Sequence, residues 1–275
     1  PHALVLACLP ALANAQQWST MSAPPLAPPI RWGSPGVFDA ARARIVLFCG
    51  TADSALTPQT VPLTDQWEFD GVGWAQIRPR TMPPARYLHA LCYDSVRQRV
   101  LLFGGQDQPY HNLDDTWQYQ SGAWTQLAPV NRPPVRRATA FAYDAARDRA
   151  VVFGGVGAVY YGDTWEFDGS DWSLRPVAGP TAREGAAMAF DAARARMVLT
   201  GGYNPGNSGL GTTWEYDGSV WTSFATAPYS VNGLHYDPAA QRIVFASGEW
   251  DGSSWSPAPP PGVWSPVNTT LLAVD

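Results

Sequence analysis

The chain has 275 residues, 45% of them apolar, with 18 basic against 23 acidic side chains and a net charge of −5. The apolar share excludes a disordered chain, and the acidic balance excludes a nucleic-acid surface, which needs a basic stripe. Every basic residue is arginine, which excludes Schiff-base and P-loop lysine chemistry.

The first predicted element is an apolar run over residues 3–13, followed by Ala13-Asn14-Ala15. It has the form of a secretory h-region and cleavage site. Residues 1–15 are therefore expected to be the remnant of a signal peptide, and the protein to be secreted, periplasmic or extracellular. Val5-Leu6-Ala7-Cys8 also fits a lipoprotein cleavage site, but the apolar run continues past Cys8. No other segment reaches the roughly 18 apolar residues of a transmembrane helix, so no membrane span is expected.

From residue 16 onward the chain repeats itself. An apolar segment runs into an aspartate, then an Asp-x-x-Arg-x-Arg turn, then a second apolar run. The aspartates are Asp39, Asp94, Asp144, Asp191 and, in a weaker copy, Asp237, spaced 55, 50, 47 and 46 residues apart. Each second run ends in glycine, as at Gly104-Gly105, Gly154-Gly155 and Gly201-Gly202. A variable loop follows, then Asp65-Gln-Trp67-Glu-Phe69, Asp115-Thr-Trp117-Gln-Tyr119, Asp163-Thr-Trp165-Glu-Phe167 and Thr213-Trp214-Glu-Tyr216. A later tryptophan closes each unit: Trp74, Trp124, Trp172, Trp221 and Trp255. Trp117 and Tyr119 alternate with period two and share one sheet face. The Asp-Gly pairs between third and fourth strands, such as Asp168-Gly169, mark hairpin turns. Pro-rich links, around Pro79, Pro129, Pro176 and Pro228, end each unit.

Four short antiparallel strands per unit, at a period near 50, predict an all-β fold: a β-propeller. Five full or near-full blades are expected. Trp18 with its Pro-rich link, and residues 268–275, read as the two halves of a split, incomplete sixth. The domain is taken as 16–275, and the chain as a fragment truncated at its C-terminus. All eight tryptophans from Trp67 to Trp221 in the two repeated positions are expected to pack between blades. Cys49 and Cys92 fall at opposite ends of their strands and are expected to be unpaired.

The apolar run, the paired glycines, the third-strand aromatic and the fourth-strand tryptophan resemble the kelch repeat over about residues 16–275. The aromatic-to-Trp spacing, five from Tyr119 to Trp124, is one shorter than the kelch pattern, and the Asp-Gly turn accounts for the difference. The likeness is to bacterial secreted kelch-type repeats. In cytosolic kelch adaptors the corresponding face holds an acidic peptide with arginines, so the resemblance implies such a role here. Copper radical oxidases of the galactose oxidase type also carry kelch-like repeats. Their copper needs two histidines and two tyrosines. Only His89, His111 and His235 follow residue 15, and His89 and His235 sit near opposite ends of their strands, so they are not expected to meet at one metal. No carboxylate dyad, nucleophile elbow or zinc-helix motif marks another enzyme.

Arginine stands eight residues before the aspartate in four units, Arg31, Arg86, Arg136 and Arg183, and Arg137 adds a fifth. This ring lies at the start of the first strands, on the face of the variable loops near 51–64, 106–114, 156–162 and 203–211. Those loops carry Tyr110, His111, Tyr160, Tyr161 and Tyr203. Loops that vary on a fixed scaffold are where binding concentrates, and the arginines imply an acidic peptide or glycan. The competing account spends each arginine on a blade-to-blade contact, with Glu68, Glu166 or Glu215 as partner. The expected function is a non-catalytic, cofactor-free protein- or carbohydrate-binding module. The alternatives are the propeller part of a copper radical oxidase or other carbohydrate-active enzyme, and a structural spacer.

Overall fold

The structure, a computed structural model, describes residues 27–52, 61–227, 233–245, 248–257 and 270–271. The signal segment, Trp18 and Pro228 lie outside the described residues.

Among the described residues every regular element is a strand, and the repeats fold as five four-stranded antiparallel blades. Blade one comprises Gly36–Asp39, Arg44–Phe48, Gln66–Phe69 and Trp74–Ile77. Blade two comprises Ala90–Asp94, Arg99–Phe103, Thr116–Gln120 and Ala123–Leu127. Blade three comprises Ala140–Asp144, Arg149–Phe153, Thr164–Phe167 and Trp172–Arg175. Blade four comprises Glu184–Asp191, Arg196–Tyr203, Thr212–Tyr216 and Trp221–Thr226. Blade five comprises His235–Asp237, Arg242–Phe245, Gly248–Trp250 and Trp255–Pro257. The fourth strands of blades one to three end just before Pro79, Pro129 and Pro176, because a proline cannot extend the ladder.

The innermost strands pack on one another in succession from blade one to blade five around a central channel. Those of blades five and one do not pack together to that extent among the described residues, which is consistent with an incomplete sixth blade. Residues 270–271 are strand, as expected. They pair with Val37 and Gly36 as a fifth strand on blade one, which satisfies the open edge of its innermost strand.

The second strands are buried on both faces, so they read as unbroken apolar runs. Alternate side chains go to opposite neighbours: Val100 and Leu102 pack with Val46 and Phe48 of blade one, Leu101 and Phe103 with Phe141 and Val152 of blade three. Trp124, Trp172 and Trp221 of the fourth strands are buried, and their indole N–H groups donate to Gln66, Thr116 and Thr164 of the preceding blade. The third-strand tryptophans meet the expectation in part: Trp117, Trp165 and Trp214 pack against clusters that join two blades, whereas Trp67 packs within its own blade. Trp67 and Trp117 are buried, but Trp165 and Trp214 are only half-buried. All four indoles donate within their own blade, to Asp65, Asp115, Asp163 and Thr212.

At the inner turns the repeated aspartate is buried and accepts backbone amides, as Asp144 does from Ala146 and Arg147 at 3.0 and 2.9 Å. Cys49 and Cys92 are unpaired and buried, and burial pushes the Cys49 thiol up to about 12.

Candidate functional site

The arginine ring is structural. Arg86, Arg136 and Arg183 are at most 1% exposed, and the Arg31 side chain is nearly so. Each guanidinium turns back into its own blade and donates to the carbonyl that follows the apolar run of the second strand: Cys49, Gly104, Gly154 and Gly201, at 2.9–3.1 Å. Three of them also clamp an aspartate through both carboxylate oxygens. The distances are 2.7 and 2.8 Å for Arg31–Asp65, 2.5 and 2.8 Å for Arg86–Asp115, and 2.6 and 3.0 Å for Arg136–Asp163. Burial alone would raise the Asp163 carboxyl, but the Arg136 bonds and charge outweigh it and hold it below the usual carboxylate range. Arg183 has no carboxylate, because Thr212 stands at the aspartate's position. The arginines are therefore spent internally, and the motive for an acidic ligand goes with them.

The partners anticipated for those arginines, Glu68, Glu166 and Glu215, hold a different set. They accept from the turn arginines Arg42, Arg147 and Arg194 at 2.6–3.0 Å. They also accept from the next blade: Glu68 from Tyr119, Glu166 from Tyr216 and Glu215 from the Trp250 indole. This row latches blade to blade on the side away from the variable loops.

The face itself is read one residue further along. Period-two alternation sends the neighbours of the buried arginines the other way. These are Trp32, Tyr87, Arg137 and Glu184, which pair across the blade with Thr51, Gln106, Val156 and Tyr203. Of the arginines proposed from sequence, only Arg137 belongs to this row. The next position forms a backbone collar: Leu88 N–H donates to Gly33 O, Ala138 N–H to Leu88 O and Gly185 N–H to Ala138 O, at 2.7–2.8 Å. All four residues take φ between 52° and 65°, a left-handed bend that turns each N–H toward the preceding blade. Glycine adopts it freely; Leu88 and Ala138 adopt it under strain.

Around this collar the structure gathers several residues. Trp32 is 37% exposed and meets Tyr87 edge-on at 5.3 Å. The buried Tyr87 hydroxyl donates to Gln106, whose amide donates to the Tyr110 carbonyl at 3.2 Å and to Asn112 at 3.1 Å. Tyr110 and Tyr203 are 49% and 47% exposed. Tyr160 donates to Glu184 at 3.0 Å. His111 is exposed beside Asp107 at 3.4 Å. Tyr161 is half-buried, and its ring lies against the Arg136 guanidinium at 3.9 Å. The loop face is thus aromatic with charges of both signs. At the opposite end of the channel, Phe38, Tyr93, Tyr143, Phe190 and Tyr236, each just before a repeated aspartate, line a lumen of about 240 Å³.

His89 lies beneath the face, in van der Waals contact with Phe48 at 5.6 Å between rings. It is buried, and neither ring nitrogen has a partner among the described residues. Burial, with Arg86 adding repulsion, holds it well below its ordinary value of 6.5. The folded state therefore resists protonation. Its contribution to stability is complete above pH 6.5 and is lost as pH falls toward the depressed folded value. Urea midpoints measured from pH 7 to pH 5 are expected to fall less steeply in His89→Leu than in the wild type. Parallel slopes would refute the assignment. Among the described residues no three His, Cys, Asp or Glu side chains are grouped to hold a metal ion, and no helix is long and apolar enough to cross a membrane.

Comparison with known families returns the KLHDC2/KLHL20/DRC7 Kelch-repeats domain, matched over residues 8–168 and again over 67–236. Comparison with curated proteins returns no match. Together the two family matches span residues 8–236, most of the chain. The chain belongs to the kelch-repeat β-propellers, a family whose members generally serve as protein-interaction scaffolds.

Proposed function

We propose that the protein is an exported binding module, non-catalytic by itself, that holds a protein or peptide segment on the loop face above the channel mouth. The observation that carries this reading is the exposure of Trp32, Tyr110 and Tyr203 at the loop face around a hydrogen-bonded backbone collar. Large aromatics with few rotatable bonds, held in place before binding, make energetic anchors. Arg137 and Glu184 place both charge signs beside them, so the fitting ligand is an amphipathic segment with an apolar anchor rather than an acidic one. Export rests on residues 3–15 alone, and N-terminal sequencing of the secreted protein tests it separately.

A displayed peptide library selected on the purified chain, run beside a glycan array, tests the reading. Selected peptides are expected to lose at least about tenfold in affinity for Trp32→Ala and Tyr203→Ala, the cost of one good anchor. Val72→Ala, 79% exposed on an outer turn, is expected to bind as the wild type does. Thermal midpoints of all three should stay close to wild type, since exposed substitutions change stability little. Equal binding by all three variants, or selection of glycans alone, would overturn the reading.

A further inference from the structure

The repeat provides its own internal control for one position. In blades one to three a buried arginine faces a carboxylate that also accepts the third-strand indole N–H: Trp67 to Asp65 at 2.7 Å, Trp117 to Asp115 at 2.6 Å and Trp165 to Asp163 at 2.8 Å. The carboxylate thus gathers two guanidinium nitrogens and one indole. Blade four keeps the donors and changes the acceptor. Arg183 keeps its carbonyl bonds to Thr181 and Gly201 at 3.1 and 3.0 Å. Trp214 keeps its indole. Thr212 replaces the aspartate with one hydroxyl on a side chain one bond shorter, 3.2 Å from the indole and 3.4 Å from Arg183 Nη2. Thr181 offers a second hydroxyl at 3.3 Å. Burial alone lowers the Arg183 guanidinium to about 10, because no carboxylate offsets it. Arginine nevertheless stays charged at any working pH, and a buried cation without a counter-charge is costly.

We propose that blade four binds a small monovalent anion, chloride in the first instance, between Arg183, Trp214, Thr181 and Thr212, where the other blades supply their own carboxylate. The guanidinium and the indole N–H converge on the Thr212 hydroxyl at 3.2–3.4 Å with no acid among their acceptors, and an anion takes those long bonds while the two hydroxyls turn to donate to it. The place is reachable from solvent. Thr212 is half-buried, and the side chains of Asp65, Asp115 and Asp163 are 13%, 17% and 26% exposed at the equivalent spot. The proposal does not depend on what the loop face binds.

Thermal unfolding of the full chain at fixed ionic strength tests it, with sodium gluconate exchanged stepwise for sodium chloride. The wild type is expected to show a saturable rise in Tm of about 2–4 °C, the shift for an anion that binds only the folded state. Thr212→Asp is expected to start higher in gluconate and gain nothing from chloride. Thr212→Asn fills the same volume without the charge and is expected to lose the chloride response without the higher starting Tm. An identical Tm in both salts for the wild type, or a full chloride increment in Thr212→Asp, overturns the proposal. Should Thr212→Asp fail to fold, wild-type crystals in bromide decide. An anomalous peak within hydrogen-bond distance of the Arg183 guanidinium supports the site, and its absence overturns it.

Discussion

Arg136→Ala is expected to destabilise the propeller by about 3–5 kcal/mol, the usual cost of breaking a buried ion pair from one side, and to do so with or without ligand. Arg136 is fully buried and donates to Pro134 O at 3.0 Å, Gly154 O at 3.1 Å and both oxygens of Asp163. Its removal strands a carboxylate and two carbonyls and takes the cation from the face of Tyr161. The neighbouring substitution provides the contrast. Arg137→Ala acts on a side chain that points the other way, and should move stability by no more than about 0.5 kcal/mol while weakening binding at the face. Urea unfolding of the two variants, with peptide affinity measured in parallel, separates the roles. Normal stability with lost binding in Arg136→Ala would restore the arginine ring as a ligand site.

Asp163→Ala should cost less than Arg136→Ala. Blade four already holds Arg183 without an acid, so the scaffold tolerates that half of the loss. The double variant should fall short of the sum of the two, as coupled partners do.

The propeller was legible because its strongest signals are local and recur. Glycine pairs end strands, Asp-Gly makes a hairpin, and tryptophan spacing counts blades. The arginine's role was harder to read because its partner lies far along the chain, 27 residues on in the case of Arg136 and Asp163. The signal was nevertheless present in the repeats. Units one to three carry both the arginine and the aspartate, and unit five loses both together, with Tyr229 and Gly248 in their places. Unit four keeps Arg183 and loses the acid to Thr212. That pattern of joint presence and joint loss is what a contact leaves in a repeat. Period two then assigns the binding face to the residue after each arginine, so Trp32 and Glu184 were within reach of the same alternation that placed Trp117 with Tyr119. The collar had no such trace. It is made by backbone groups, and Leu88 and Ala138 do not advertise a left-handed conformation as glycine would. The altered latch in unit two was only half visible. Gln118 stands in the glutamate position, and Arg97 reaches instead to Asp148 of blade three at 2.5 Å.

Trp172→Ala is expected to cost about 3–5 kcal/mol, the range for truncating a fully buried aromatic, and Trp165→Ala distinctly less, although both were assigned the same role from sequence. Trp172 is 1% exposed. Its ring packs on Phe103 of blade two at 5.1 Å and on Phe141 and Phe167 of its own blade at 6.1 and 5.0 Å. Its indole reaches Thr116 of blade two at 3.0 Å. One side chain thus fills the joint between two blades and satisfies a polar atom across it. Trp165 is half-buried against that same joint, and its indole closes on Asp163 within blade three, so its loss removes less buried surface and no hydrogen bond between blades. Stability in a repeat fold is the sum of units and of the interfaces between neighbours, and a residue at the interface counts in the second term. Trp172→Phe isolates the hydrogen bond: most of the packing remains, and about 1–2 kcal/mol is lost with the indole N–H, leaving the Thr116 hydroxyl without its donor. Denaturant unfolding of the three variants should order them Trp172→Ala, then Trp165→Ala and Trp172→Phe. A larger loss in Trp165→Ala than in Trp172→Ala would mean that the third strands, not the fourth, hold the blades together.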